Sequence, residues 1–258
     1  MKDKKDEIIE EFKREIGSGT FKGKPNYTKL KPISQLLDAM ELASPHSALI
    51  LDFYKHNIHY ISPSSLLLCG YDRNEVIKMG YDFYKKIFSV EDLERFKELN
   101  VACVDFIRAL PAEDREGVFM TCDIVLKHKD GYTVSLNRKA KPYLYTDAGD
   151  LWMVLCCTNY SLCKETGETY VVLPKCKKRY KYSFKKKKWE EAFYIELTDT
   201  EKLVVYFCHI GKTGKEIAEY LSLSIHTVSY YKKQILKKTN CTSMKEALIF
   251  LSAISNYK

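Results

Sequence analysis

Apolar residues recur at helical spacing near both ends of the chain and at strand spacing between them. Residues 5–16 set Ile8, Ile9, Phe12 and Ile16 on one face of a segment otherwise covered with Lys and Glu, which predicts an amphipathic helix. Gly17, Gly19, Gly23 and Pro25 break it. Pro32 then opens a second predicted helix, with Ile33, Leu36, Leu37 and Met40 on its apolar side and Ser44 and Pro45 at its end. From Ser47 the period shortens, and residues 48–53 and 58–61 read as a hairpin around a polar turn at 55–57. Short helices are predicted up to Leu68 and over 72–79, then a longer one over 90–110 with Ser89 as its cap. Three strands follow at 118–128, 132–145 and 151–160, joined by Asp130-Gly131 and by Asp147-Ala-Gly149-Asp150. Asp-Gly is the dipeptide of a type I′ turn, in which both central residues take positive φ.

The last sixty-odd residues carry a different signature. Thr198-Asp-Thr-Glu201, Thr213-Gly-Lys-Glu216 and Ser243-Met-Lys-Glu246 each have the spacing of a capping box, where a hydroxyl takes one orphan helix amide and a carboxylate takes another. Ser224 caps a further periodic run that ends near Asn240. Four helices are therefore predicted, at 199–210, 214–221, 225–239 and 244–255, and only Ser222 to Ser224 separate the second from the third, the tight joint of a helix-turn-helix. On the third helix, Ile225, Val228, Tyr231 and Ile235 share the side expected to pack on Ile217, Leu221 and Leu203. His226, Ser229, Tyr230, Lys233 and Lys237 share the opposite side.

Charge divides the chain in the same place. Residues 1–163 carry 23 basic and 24 acidic side chains, residues 164–190 carry 10 and 3, and residues 191–258 carry 9 and 7, so the net +8 lies in the back half. A basic back half suits a polyanionic partner. Within 164–190 the lysines alternate with Tyr180, Tyr182 and Phe184 at the period of a strand, so this basic connector reads either as a solvated loop beside the helical module or as a small ribbon that adds phosphate contacts.

Residues 46–161 resemble a PAS domain. Ile61-Ser-Pro-Ser-Ser, Leu68-Cys-Gly-Tyr, Phe88-Ser-Val-Glu-Asp, Lys129-Asp-Gly and Asn159-Tyr-Ser stand in the family's order on the expected elements. The C-terminal helices resemble the LuxR-type (GerE-like) DNA-binding domain. The residues that carry this likeness are Leu197-Thr-x-x-Glu201, Gly211, Lys215-Glu-Ile-Ala218, Leu221, Ser224, Thr227-Val228, Ile235, Lys238 and Glu246-Ala247. The implied fold class is α+β: a PAS-like five-stranded antiparallel sheet with helices, followed by an all-α four-helix helix-turn-helix domain. The implied organisation is N-terminal amphipathic helices at 1–45, a PAS-like sensor at 46–163, the basic connector at 164–195 and the LuxR-type domain at 196–258.

These resemblances imply a one-component transcription regulator that binds double-stranded DNA as a homodimer on a two-fold site, with the last helix supplying much of the dimer contact. Carried over by position, Ser229, Tyr230 and Lys233 would read bases, and Lys215, Thr227 and Lys237 would hold phosphates. The chain departs from the family's usual residues at Thr200, Ser229, Tyr231 and Thr239, which touches both sequence preference and helix packing. The rival reading is a protein-interaction adaptor with a degenerate helix-turn-helix.

Other chemistry is sparse. Nine scattered cysteines with no Cys-x-x-Cys pair indicate neither a disulfide framework nor a zinc site, and those in apolar runs read as small buried hydrophobes. No phosphate loop, His-Glu zinc motif or serine elbow is present, so an enzyme is not expected. The flavin-photosensor signature is absent, and His46, His56, His59 and His128 read as surface or strand histidines rather than haem ligands; the cofactor, if any, is unknown, and a small molecule in the PAS-like half is the implied signal. No apolar run approaches bilayer length and the charged N-terminus has no secretory pattern, so the expectation is a cytoplasmic protein with no membrane partner.

Overall fold

A computed structural model describes residues 3–17, 21–43, 47–161, 166 and 168–254. The expected helix stop at Ser44 and Pro45, His46, and the final residue of the 244–255 helix lie outside the described residues. The chain divides into two compact units, Met1–Ala192 and Phe193–Lys258.

The first unit is built on one antiparallel sheet. Its strands are β1 (Ala48–Asp52), β2 (Asn57–Ile61), β3 (Phe119–Lys127), β4 (Thr133–Tyr145), β5 (Leu151–Tyr160), β6 (Tyr170–Leu173), β7 (Lys178–Ser183) and β8 (Lys188–Ala192), in the spatial order β2-β1-β5-β4-β3-β6-β7-β8. The five strands expected from the sequence are present, but the sheet has eight. The supposed connector supplies the other three: β6 pairs with β3 from Phe119 opposite Val172 to Thr121 opposite Tyr170, and β7 and β8 extend the ladder. Its aromatic residues explain why it folds back. Trp189 donates its indole N–H to Ala102 O at 3.1 Å, Tyr182 donates to Glu98 Oε1 at 2.8 Å, and Phe106 lies 5.1 Å from the ring of Tyr180. The lysines between them remain at the surface, so the ribbon satisfies both its apolar and its charged residues.

Among the described residues five α-helices belong to this unit: α1 (Lys4–Ile16), α2 (Lys31–Ala43), α3 (Arg73–Met79), α4 (Tyr84–Ile87) and α5 (Val90–Ala109). Ser89 caps α5 by accepting from Asp92 N at 3.0 Å. Ile8, Ile9, Phe12 and Ile16 of α1 are buried in the main core with Leu49, Leu51, Phe96, Leu136 and Cys156. Ion pairs Lys97–Glu11 at 2.5 Å and Lys85–Asp6 at 2.6 Å bind the polar side of α1. Ile50, Tyr60, Trp152 and Met153 belong to a smaller core with Leu30, Tyr27, Ile33 and Leu37; Trp152 and Met153 are adjacent and share it where the pairing of β4 with β5 shifts register. Only part of the expected apolar side of α2 is covered, because Leu36 and Met40 remain exposed.

The hairpin turn at Asp130-Gly131 differs from expectation in a defined way, and the turn at 147–150 takes the same form. At Asp130-Gly131 only Gly131 has positive φ (95°), and His128 N donates to Tyr132 O at 2.8 Å across a three-residue loop. Thr146 N donates to Asp150 O at 2.9 Å around Gly149 (φ 83°) in the same manner. Both are type I turns followed by a left-handed glycine, the form that absorbs one extra residue, rather than type I′.

Candidate nucleic-acid interface

The second unit consists of α6 (Asp199–His209), α7 (Gly214–Tyr220), α8 (Ile225–Thr239) and α9 (Met244–Ile254). Thr198 and Glu201 close a reciprocal capping box on α6, and Thr213 and Glu216 close one on α7. The Glu216 carboxylate accepts from Thr213 N and Oγ1 and from Lys212, which draws its pKa down to about 2. At α9 the pattern is shifted by one residue: Ser243 Oγ accepts from Glu246 N at 3.2 Å, while Glu246 accepts from Thr242 N at 2.8 Å.

Three helix ends are finished by a left-handed residue, Gly211 after α6, Ser222 after α7 and Asn240 after α8. At the joint between α7 and α8, Leu223 N donates to Ala218 O at 2.8 Å, the long bond of a Schellman turn. Ser224 then caps α8 by accepting from Thr227 N at 3.0 Å. This leaves four residues, Leu221 to Ser224, between the helices and sets the direction of α8 relative to α7 within the unit.

The core of this unit comprises Leu197, Val204, Val205, Ile217, Ala218, Val228, Ile235, Ala247 and Leu251. Val228 and Ile235 are buried as the sequence predicts, and Tyr231 is half-buried. Two expected core residues are not: Leu203 is 46% exposed, its place being taken by Val204 and Val205, and Ile225 is 52% exposed. Ile225 is the first residue of α8 and lies about 80° around the helix from Ile235, so it misses the covered strip. Thr239 is buried, but its hydroxyl donates to Ile235 O at 2.8 Å, so the polar group there has a partner.

Opposite Val228, Ile235 and Thr239, residues His226, Ser229, Tyr230, Lys233 and Lys237 fall within a stripe roughly 100° wide at 3.6 residues per turn. All five are exposed. Among the proposed phosphate residues, Lys215 and Lys237 are exposed, while Thr227 is half-buried with its Oγ1 2.8 Å from Ser224 Oγ. Among the described residues no ion pair involves Lys215, Lys233 or Lys237, whereas Lys202, Lys212 and Lys238 are paired to Asp199, Glu216 and Glu201. The lysines on the open side of α8 thus keep their charge unneutralised by the protein.

Glu201 is the buried carboxylate that holds the base of this arrangement. It is 3% exposed and accepts from Thr198 N and from Lys238 Nζ, both at 2.7 Å, while Lys238 also donates to Glu196 O at 3.1 Å. Burial pushes the Glu201 pKa up, but the Lys238 ammonium and the Thr198 amide outweigh it and the net direction is down. The pair ties the start of α6 to the end of α8.

Residues 196–251 match the family described as bacterial regulatory proteins, luxR family. The C-terminal unit is a LuxR-family regulatory domain. No curated protein matches the chain. Among solved structures, the chain is similar to the Vibrio cholerae VqmA dimer, described with LuxR-type receptors, at 14% identity over 89% of this chain and 88% of that one, with a TM-score of 0.35. It is also similar to a PAS domain from Colwellia psychrerythraea at 16% identity over 52% of this chain and 97% of that one, with a TM-score of 0.37. These likenesses are loose. No helix among the described residues is long and apolar enough to cross a membrane, and no group of three His, Cys, Asp or Glu is placed to hold a metal ion.

Proposed function

We propose that this chain is a DNA-binding transcription regulator whose LuxR-family domain lays α8 in the major groove. The observation that carries the reading is the open stripe of α8, from which Ser229, Tyr230 and Lys233 would read base edges, with Lys215, Thr227 and Lys237 to hold phosphates. Exposed Ile225 and His226 add an apolar and a polar group at the end of the helix where base edges are approached; Ile225 is suited to a thymine methyl. Helical spacing groups Ile225 with Val228 and Ile235, but its place at the very start of the helix leaves it outward.

A single α8 reads only a few base pairs, so the reading includes a homodimer on a two-fold site, joined in large part through α9. The first unit then acts as a PAS-like sensor, in the cytoplasm, that shifts the population of dimers able to place both helices one helical turn apart. Chemistry on a substrate is not part of this reading.

The test is binding of the full chain to a selected duplex. Changing Ser229, Tyr230 and Lys233 together to Ala should weaken specific binding by at least roughly tenfold, since base contacts are worth about 1–3 kcal/mol each. An unchanged affinity, or binding that barely responds to salt, would favour the adaptor reading instead.

A further inference from the structure

The first unit buries a guanidinium for which its described residues supply no counter-charge. Arg138 lies on β4, opposite Cys122 of β3 and Thr158 of β5, and is 2% exposed. Its Nη2 donates to Asn100 Oδ1 at 3.1 Å and to Cys156 Sγ at 3.3 Å. Asn100 is itself aimed by its amide, which donates to Phe96 O at 2.6 Å and so turns its oxygen toward Arg138. Nη1 is buried with no hydrogen-bond partner.

The surroundings sharpen the imbalance. Among the described residues no carboxylate lies in ion-pair range of Arg138; the buried carboxylate of this unit, Asp52, is taken by Tyr27 Oη at 2.8 Å and Lys55 N at 2.9 Å. Burial pushes the Cys103 thiol up to about 12 and the Cys122 thiol up to about 11, so both are neutral at pH 7. The hydroxyls of Tyr81 and Tyr84 are also buried without partners. The rings bring these groups together: the guanidinium carbon is 5.1 Å from the centre of Phe96, Tyr84 is 4.8 Å from Phe96, Tyr81 is 5.7 Å from Tyr84, and Phe12 of α1 covers Tyr81 and Phe96 at 5.6 and 6.0 Å.

Buried polar groups are almost always paired, and a buried guanidinium most of all. Here one unpaired amino group of a planar cation and two hydroxyls stand together in an aromatic setting. The free Nη1 of the guanidinium can donate to a carboxylate oxygen, the tyrosine hydroxyls can donate to a carboxylate as well, and the rings match an apolar body. We propose that this cluster is the ligand site of the sensor and takes a small monocarboxylate with a compact apolar body, held by Arg138 with Tyr81 and Tyr84. The proposal rests on the reading of the first unit as a sensor and gives that reading a ligand class.

The test uses the full chain, with benzoate, phenylacetate and 3-methylbutanoate set against their uncharged amides at constant ionic strength and pH 7. Both tryptophans, Trp152 and Trp189, lie in the first unit, so their fluorescence reports its melting. At least one carboxylate should raise the melting temperature by several degrees in a concentration-dependent way, with its amide binding at least roughly tenfold more weakly because only the ion brings a negative charge to offset the buried guanidinium. Arg138→Met should abolish the response while leaving the ligand-free chain as stable as before or more so, and Tyr84→Phe should weaken binding several-fold. Equal effects of acid and amide, or no response to any of the carboxylates, would overturn the proposal. So would an Arg138→Met chain that melts far below the wild type together with a Tyr84→Phe chain of unchanged response, since Arg138 would then be purely structural. The chain with Ser229, Tyr230 and Lys233 changed to Ala should keep the carboxylate response, which separates failure of this proposal from failure of the DNA-binding reading.

Discussion

Replacing Glu201 by Gln tests whether the buried ion pair holds α6 and α8 together. The substitution keeps the shape and leaves an oxygen for Thr198 N, but removes the charge facing Lys238 Nζ at 2.7 Å. Breaking a fully buried pair by removing one partner costs about 3–5 kcal/mol. The Lys238 side chain is 30% exposed and keeps its bond to Glu196 O, so water and that carbonyl recover part of the loss. The expected cost is therefore about 1.5–3 kcal/mol, or roughly a 10- to 150-fold fall in protection. Hydrogen exchange by mass spectrometry in the intact chain can read it from peptides covering 199–209 and 225–239. The pH dependence supplies a second check. Glu201 has a depressed pKa in the folded state, so its contribution is fully present above the ordinary carboxylate value near 4.5 and is lost as pH falls through the lower folded value. The gap between wild type and Glu201→Gln should close in acid. A gap within twofold at pH 7, or one that widens on acidification, would refute the argument.

Other expectations follow from the same geometry. Ser222 holds φ 54° in the joint before α8, so Ser222→Gly should stabilise the second unit by about 0.5–1 kcal/mol in the same exchange measurement, and Ser222→Val should destabilise it. A Cβ at Gly17 would sit 1.6 Å from His56 Nε2 and 2.3 Å from Lys13 O, so Gly17→Ala should lower the melting point of the first unit, at a cost of about 2 kcal/mol or more. Under the DNA-binding reading, Lys215→Ala and Lys237→Ala should each weaken binding across all sequences and reduce the slope of log affinity against log salt by about 1.

The C-terminal unit was legible because its signals are local. Capping hydroxyls and carboxylates three residues apart mark helix starts wherever the helices later pack, and the predicted bounds agree with the observed ones within a residue or two. The inward position of Val228 and Ile235 followed from period alone. Leu203 and Ile225 did not, because a periodic face shows which residues lie together but not where the partner helix stops covering them. In the first unit, the helix of Ile8, Ile9, Phe12 and Ile16 and the five strands from β1 to β5 could be read in the same way. The pairing of β6 with β3 could not, since it joins residues some fifty positions apart and the intervening charge resembles a solvated loop. Arg138 shows the limit most clearly. Asn137, Arg138 and Lys139 look like an ordinary polar stretch, and only the approach of α5 and of β3 and β5 on either side buries the first two of them.

The order of the strands has a consequence for how the protein behaves when concentrated. A sheet whose last strand is free offers its unused amides and carbonyls to any neighbour, including another copy of itself. Here that strand is β8, which carries Lys188, Glu190 and Glu191 and follows a turn containing Lys185, Lys186 and Lys187. Stacking two such borders would strip water from a dense set of charges and set lysine against lysine, so growth of the sheet into fibrils or amorphous aggregate is opposed at this rim by solvation and repulsion.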